Sequence, residues 1–212
     1  MTRLALLLLV ACGSHSPGAA DPDAPPGGSA DAPPMQGDAP SEPDPLNPLA
    51  VGHTWHTTQT SSGFGQPTTT CNVTQTVTGT TSVDGRTPFV IAYTYECPMQ
   101  TTTSMFYTNV LGGDRYESRA ASSTDGIWYV EDPPAEGHQW ASDPAGMFVY
   151  TWHRAGSVTV PAGTFTDCWR EVTMPSGSDQ EFTLCRGVGF VQSMQSFTTG
   201  YMVSGELTAK SF

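Results

Sequence analysis

Five cysteines, five histidines and a knot of acids are the residues in this chain best equipped to do chemistry. The thiols are Cys12, Cys71, Cys97, Cys168 and Cys185, none of them in a close Cys-x-x-Cys pair. Structural zinc sites draw on such pairs, so a four-cysteine metal site is weighed here against two disulfides and is the poorer fit. Setting Cys12 aside leaves an even four, which suits an oxidised, exported framework. His53 and His56 are three apart, and on a strand that spacing sends them to opposite faces unless a bulge intervenes. His53 and His138 hold equivalent places in two similar stretches, PLAVGHTW at 48–55 and PPAEGHQW at 133–140. They could meet around a metal if two halves packed symmetrically, although loop histidines are the commoner outcome. Glu131, Asp132 and Glu136 cluster with His138 and Trp140 around Pro133-Pro134. Paired carboxylates beside an aromatic could cut a glycosidic bond, and a solvated acidic loop is the alternative. No Gly-x-Ser-x-Gly elbow is present. No catalytic residue, metal or cofactor is therefore expected.

The elements that carry these residues follow from composition. The chain has 212 residues, enough for one domain and a tail. Only 13% are charged, while Thr (29) and Gly (22) are abundant, which favours strands with one wet face over helices. The net charge is −12. Residues 13–45 hold six acids and no Lys or Arg; residues 46–212 hold fourteen acids against six Arg and one Lys. So little positive charge excludes a phosphate backbone as partner and gives no electrostatic grip on anionic lipid.

Arg3 followed by the apolar run Leu4–Val10 reads as a short export leader, far too short to span a bilayer. Leu9-Val10-Ala11-Cys12 resembles the bacterial lipobox. That resemblance implies cleavage after residue 11, a diacylglyceryl thioether on Cys12, and, with Gly13 next, sorting to the outer membrane. Cleavage after Gly18-Ala19-Ala20 by an ordinary signal peptidase is the alternative. Residues 12–45 then form a lipidated tether, with nine Pro from residue 13 onward and Asp-Ala-Pro at 23–25, 31–33 and 38–40. Such a strand favours extended polyproline II geometry.

From residue 46 to 212, short runs of Thr, Val, Tyr and Phe alternate with turn signals, which predicts one antiparallel β domain. Two hairpins can be placed in register. A turn centred on Asp84 sets Val73 against Tyr95, Gln75 against Tyr93, Val77 against Ile91 and Gly79 against Phe89, with Cys71 across from Cys97. A turn at Ser176-Gly177 sets Trp169 against Leu184, Asp167 against Arg186 and Phe165 against Val188, with Cys168 across from Cys185. The disulfides expected are thus 71–97 and 168–185. Thr74, Thr76 and Thr78 form a row, and Asn72-Val73-Thr74 is a glycosylation sequon of no expected use in a bacterial envelope. The aromatics Trp128, Tyr129, Phe148, Tyr150 and Trp152 are expected in the core. If the sheet is wide enough, Trp55, Trp140 and Trp152 are the candidates to line a ligand cavity.

VTVPAGTF at 158–165, GVGFV at 187–191 and a closing strand over 201–212 complete the pattern opened by PLAVGHTW. Together they resemble a family of bacterial secreted and lipoprotein β domains. The resemblance implies an all-β fold, a strongly curved antiparallel meander forming an open or closed barrel. Some of its members are similar in shape to envelope lipid carriers. The function expected is a non-enzymatic cell-envelope lipoprotein that binds or displays something at the membrane surface. The alternatives are a carrier of a lipid or other apolar molecule and, behind it, a polysaccharide-acting hydrolase. Expected partners are the membrane, through the lipid, and an apolar small molecule or an envelope protein; oligomeric state is open.

Overall fold

A computed structural model describes residues 43–63, 65–111, 114–121, 128–141, 148–174 and 178–212, with backbone alone at 128 and 129. The leader, Cys12, the tether as far as residue 42 and the turn at Ser176-Gly177 lie outside the described residues.

Among the described residues the domain is all strand. β1 (Thr54–Gly63), β2 (Gln66–Thr80), β3 (Phe89–Cys97), β4 (Gln100–Leu111), β5 (Asp114–Ser118) and β6 (Trp128–Val130) form a first meander. β7 (Gln139–Ala141), β8 (Val149–Val160), β9 (Gly163–Thr173), β10 (Ser178–Cys185), β11 (Gly189–Phe197) and β12 (Met202–Ser211) form a second. The pairing of β1 with β12 joins the two into one antiparallel sheet of twelve strands, in the order 6-5-4-3-2-1-12-11-10-9-8-7. Followed around, this is a simple up-and-down ring in which every neighbouring pair has a ladder except β6 and β7. The expected curved open meander is what the chain forms.

Why the sheet rolls is visible in its side-chain alternation. Trp55, Val73, Val77, Ile91, Leu184 and Leu207 are all buried, and they come from strands of both meanders. A sheet with no second layer can bury such a face only by curling onto itself. The outer face is wet, and cross-strand hydroxyl pairs line it: Thr60 with Thr70, Thr94 with Thr103, Thr159 with Thr164.

The two similar stretches found in the sequence are one backbone device used twice. His53 N–H donates to Ala50 O and His138 N–H to Ala135 O, both at 3.0 Å. Gly52 N–H then bonds Val77 O, as Gly137 N–H bonds Trp152 O; the return bonds run from Val77 N–H to His53 O and from Trp152 N–H to His138 O. Both glycines sit at positive φ, +94° and +73°, which a side chain would disfavour. Each turn launches the first strand of a meander and drops its tryptophan, Trp55 or Trp140, into the interior.

The expected registers hold over most of each hairpin. Val73 faces Tyr95, Gln75 faces Tyr93 and Val77 faces Ile91. Beyond that point a bulge around Thr78 shifts the ladder, so Gly79 faces Val90 rather than Phe89. In the second hairpin Trp169 faces Leu184, and Arg186 lies across from Asp167, with a 3.1 Å ion pair between them. Phe165 pairs with Val158 on β8 instead of Val188, because β10 stops at Cys185 and Asp167 takes a left-handed φ of +50°. Disulfides join Cys71 to Cys97 and Cys168 to Cys185.

Each bridge closes a loop, of 26 and 17 residues in sequence separation. Restricting the unfolded chain this way is worth about 3 kcal/mol per bridge. Cys168 and Cys185 are also fully buried in the core, whereas Cys71 and Cys97 are half-buried. Guanidinium unfolding should therefore show a larger loss for Cys168→Ala/Cys185→Ala than for Cys71→Ala/Cys97→Ala. Equal losses would contradict the core role of the second bridge.

Candidate functional site

The rolled sheet is filled at one end and hollow beyond it. The filled end is where the chain enters. Leu46 is fully buried among Val130, Trp140, Trp152, Trp169 and Leu184. Next to it a second cluster gathers Trp55, Val77, Ile91, Val188, Val191 and Leu207 around the Cys168–Cys185 bridge. Trp55 Nε1 donates to Val188 O at 2.6 Å, tying β1 to the turn before β11. Gly189 leaves the room for this contact, since a Cβ there would lie 3.2 Å from that same indole nitrogen.

Beyond these clusters the interior opens into a cavity of about 340 Å³. Trp55, Asn47 and Phe190 line it where it meets the filled end. Tyr95, Gln180, Gln195 and Val203 line it within two residues of the strand ends opposite the chain's point of entrance. Between them stand Gln59, Gln75, Tyr93, Tyr150 and Phe182. The wall is mixed: aromatic rings stand beside amides and hydroxyls, and no Lys or Arg is part of it among the described residues.

Among the described residues one carboxyl belongs to this wall. Glu117, on β5, is only 8% exposed, and Tyr93 donates its hydroxyl proton to Glu117 Oε2 at 2.8 Å. Burial pushes the Glu117 carboxyl up from its ordinary 4.5 to about 7, against the opposing pull of that hydrogen bond. Burial, followed by the field of Glu117, likewise drives the Tyr93 hydroxyl well above its ordinary value of 10.0. A second acid, Glu171, is fully buried on β9 between Trp152 and Phe182 on the neighbouring strands.

Of the three tryptophans proposed from sequence as ligand-lining, only Trp55 reaches this cavity. Trp140 and Trp152 lie in the Leu46 cluster, their rings 5.2 Å apart. The acidic knot is divided among separate structural duties. Glu131 pairs with His138 at 2.8 Å. Glu136, fully exposed, accepts from the Arg154 backbone N–H and from His153, and these contacts hold its carboxyl below the usual range. Asp132 accepts from Leu46 N–H at 3.0 Å and from Arg186 at 3.3 Å. These acids serve the connector between β6 and β7 rather than the cavity. His53 stacks on Phe212 with centroids 4.2 Å apart, and His56 bonds Thr74 on the outer face. No group of three or more potential metal ligands occurs among the described residues.

The glutamines and Glu117 were not singled out from sequence, yet one signal was there. Gln75 shares its strand face with Val73 and Val77, and an amide at an inward position marks an interior that is not wholly filled by hydrocarbon. Glu117 gave no such sign, because β5 is only five residues long and shows no clear alternation.

No protein-family model matches the chain, and no curated protein matches it in sequence. Among solved structures, a protein from Bacteroides fragilis described as exported and of YmcC-like fold is similar at a TM-score of 0.51. It is 12% identical, over 80% of this chain and 100% of its own. A chain from Parabacteroides distasonis described as a lipoprotein has a TM-score of 0.49 and 11% identity over the same shares. At 12% identity the likeness is one of fold.

The raised Glu117 carboxyl has a measurable consequence. Its folded pKa exceeds the unfolded one, so between about 4.5 and about 7 the native state holds the extra proton. Stability should then be greatest at the acid side, fall as pH rises through this window, and level off above it. The full span is on the order of 3 kcal/mol. Glu117→Gln, which keeps an acceptor for Tyr93, should remove most of that slope in denaturant titrations at pH 5, 6, 7 and 8. A slope equal to the parent's would show that Glu117 is not its source.

Proposed function

We propose that this protein is a cell-envelope lipoprotein whose rolled β domain is a small-molecule binding module, held by the acylated thiol of Cys12 at the end of a proline-rich tether. The observation that carries the binding reading is the cavity itself. A volume of about 340 Å³, lined by aromatic rings with a few convergent polar groups, falls within the range of small-molecule sites. Two disulfides suit an oxidising compartment outside the cytosol. The leader ending in Leu-Val-Ala-Cys and the fold shared with a protein described as exported point the same way.

A carrier of wholly apolar cargo is the second reading, favoured by the rings of Trp55, Phe182 and Phe190. The amides and hydroxyls of the wall weigh against it, since a hydrocarbon chain would strip them of water without replacing their hydrogen bonds.

Two measurements separate the anchor from the binding role. Cells expressing the full chain should incorporate radioactive palmitate into it, and Cys12→Ser should abolish the label. Unlabelled mature protein beginning downstream of residue 12 would overturn the anchor. Native mass spectrometry of the gently extracted chain should show a non-covalent adduct lost on denaturation. Uniformly ligand-free protein, with no change in intrinsic fluorescence on addition of envelope extract, would overturn the binding role.

A further inference from the structure

We infer that the cavity takes an uncharged, polyhydroxylated ring, a neutral saccharide unit, with Gln59, Gln75, Gln180 and Gln195 as its polar contacts. This rests on the binding role argued above and names its ligand class. Each of the four glutamines carries an amide able to donate and accept at once, which is what a hydroxyl group presents in return. None of the four has a side-chain hydrogen-bond partner among the described residues, so all are available to a ligand.

Their placement is ordered by the ladders. Gln180 and Gln195 are direct cross-strand partners on β10 and β11. Gln75 faces Tyr93 across β2 and β3, and Gln59 lies on β1 of the same inner face. β2, β1, β12, β11 and β10 are consecutive in the sheet, so the four amides lie along one curved arc of the cavity wall that spans the junction of the two meanders.

Aromatic rings supply the complementary half. A pyranose ring has apolar C–H faces as well as an equator of hydroxyls, and the negative face of an aromatic ring attracts polarised C–H groups. Tyr95, Tyr150 and Phe182 stand among the amides to meet such a face.

Charge narrows the class further. Among the described lining residues there is no Lys or Arg, and the guanidinium of Arg119, whose field reaches Tyr95, acts from outside the lining. A phosphate or carboxylate would therefore find no direct charged partner there. Glu117, the acid among the described lining residues, is hydrogen-bonded to Tyr93 and in neither protonation state supplies positive charge to an anion. Size excludes a diacyl lipid, because 340 Å³ lies at the small end of ligand sites.

The test uses the full chain carrying Cys12→Ser, with intrinsic tryptophan fluorescence and calorimetry as readouts. The probes are D-glucose, D-galactose, D-mannose, N-acetylglucosamine and their β-1,4-linked dimers, with glucose 6-phosphate and dodecanoate for comparison. At least one neutral sugar should bind, and glucose 6-phosphate and dodecanoate should each bind at least tenfold more weakly than it. Gln180→Leu/Gln195→Leu should weaken that sugar at least tenfold. Gln192→Leu, which alters an outward amide bonded to Glu206, should leave it unchanged. Circular dichroism and disulfide mapping confirm that the variants fold. Dodecanoate binding with no sugar binding would overturn the ligand class while leaving a binding module in place. Silence from every probe, with an adduct still present in native mass spectra, would also overturn the class. Sugar binding unaffected by the double substitution would move the site elsewhere and overturn the assignment of these amides.

Discussion

A single β-sheet with one apolar face has no partner layer, and everything in this domain follows from how it covers that face. Twelve antiparallel strands curl until β12 pairs with β1, and the inward side chains meet across the hollow. Among the described residues, the interval without a ladder is between β6 and β7, which are also consecutive in the chain. There the closure is made by side chains. Leu46 packs between Val130 of β6 and Trp140 of β7, and its backbone N–H is held by Asp132. Asp132 is in turn paired with Arg186, which also donates to Asp44 O. The Arg186 and Asp132 side chains are 14% and 12% exposed; without Arg186 the Asp132 carboxylate would be left largely desolvated, whereas Arg186 keeps Asp167 as a second partner. The segment at which the tether meets the domain is thus the same segment that seals the seam.

This closure makes the two ends of the roll unlike. One end receives Leu46, Leu49 and the two launched tryptophans, and packs solid around the Cys168–Cys185 bridge. At the other end, among the described residues, the inward positions are mainly glutamines, serine and tyrosines, with Val73 and Val203 beside them. A hollow remains where side chains of that kind stand apart. Its position opposite the chain's point of entrance leaves it unobstructed by the sealing segment.

The repeated Gly-His-x-Trp device sits at the starts of β1 and β7, six strands apart around the ring. Its two copies make matching hydrogen bonds to the next strand, yet the tryptophans end differently. Trp55 bonds Val188 O and borders the cavity, while Trp140 stacks with Tyr150 and Trp152 inside the seam cluster. Backbone geometry was duplicated; the surroundings were not. The ring is continuous at β12–β1 and interrupted at β6–β7, so equivalent residues face unequal neighbours.

Local pattern in the sequence determined the strand character, the two hairpin registers and both disulfides, because cross-strand pairing is a matter of counting from a turn. Val73 opposite Tyr95 and Cys168 opposite Cys185 needed no knowledge of the rest of the chain. The same counting failed where one residue bulged, at Thr78, and where Asp167 left the extended region, since backbone irregularity is not written in alternation. Only the tertiary structure decided which inward residues meet. Glu117 and Tyr93 are 24 positions apart, and Gln59 lies more than 120 residues before Gln180, so no sequence window contains them together. Whether the roll would be solid or hollow depended on the summed volume of side chains from all around the ring, a quantity that no single strand carries.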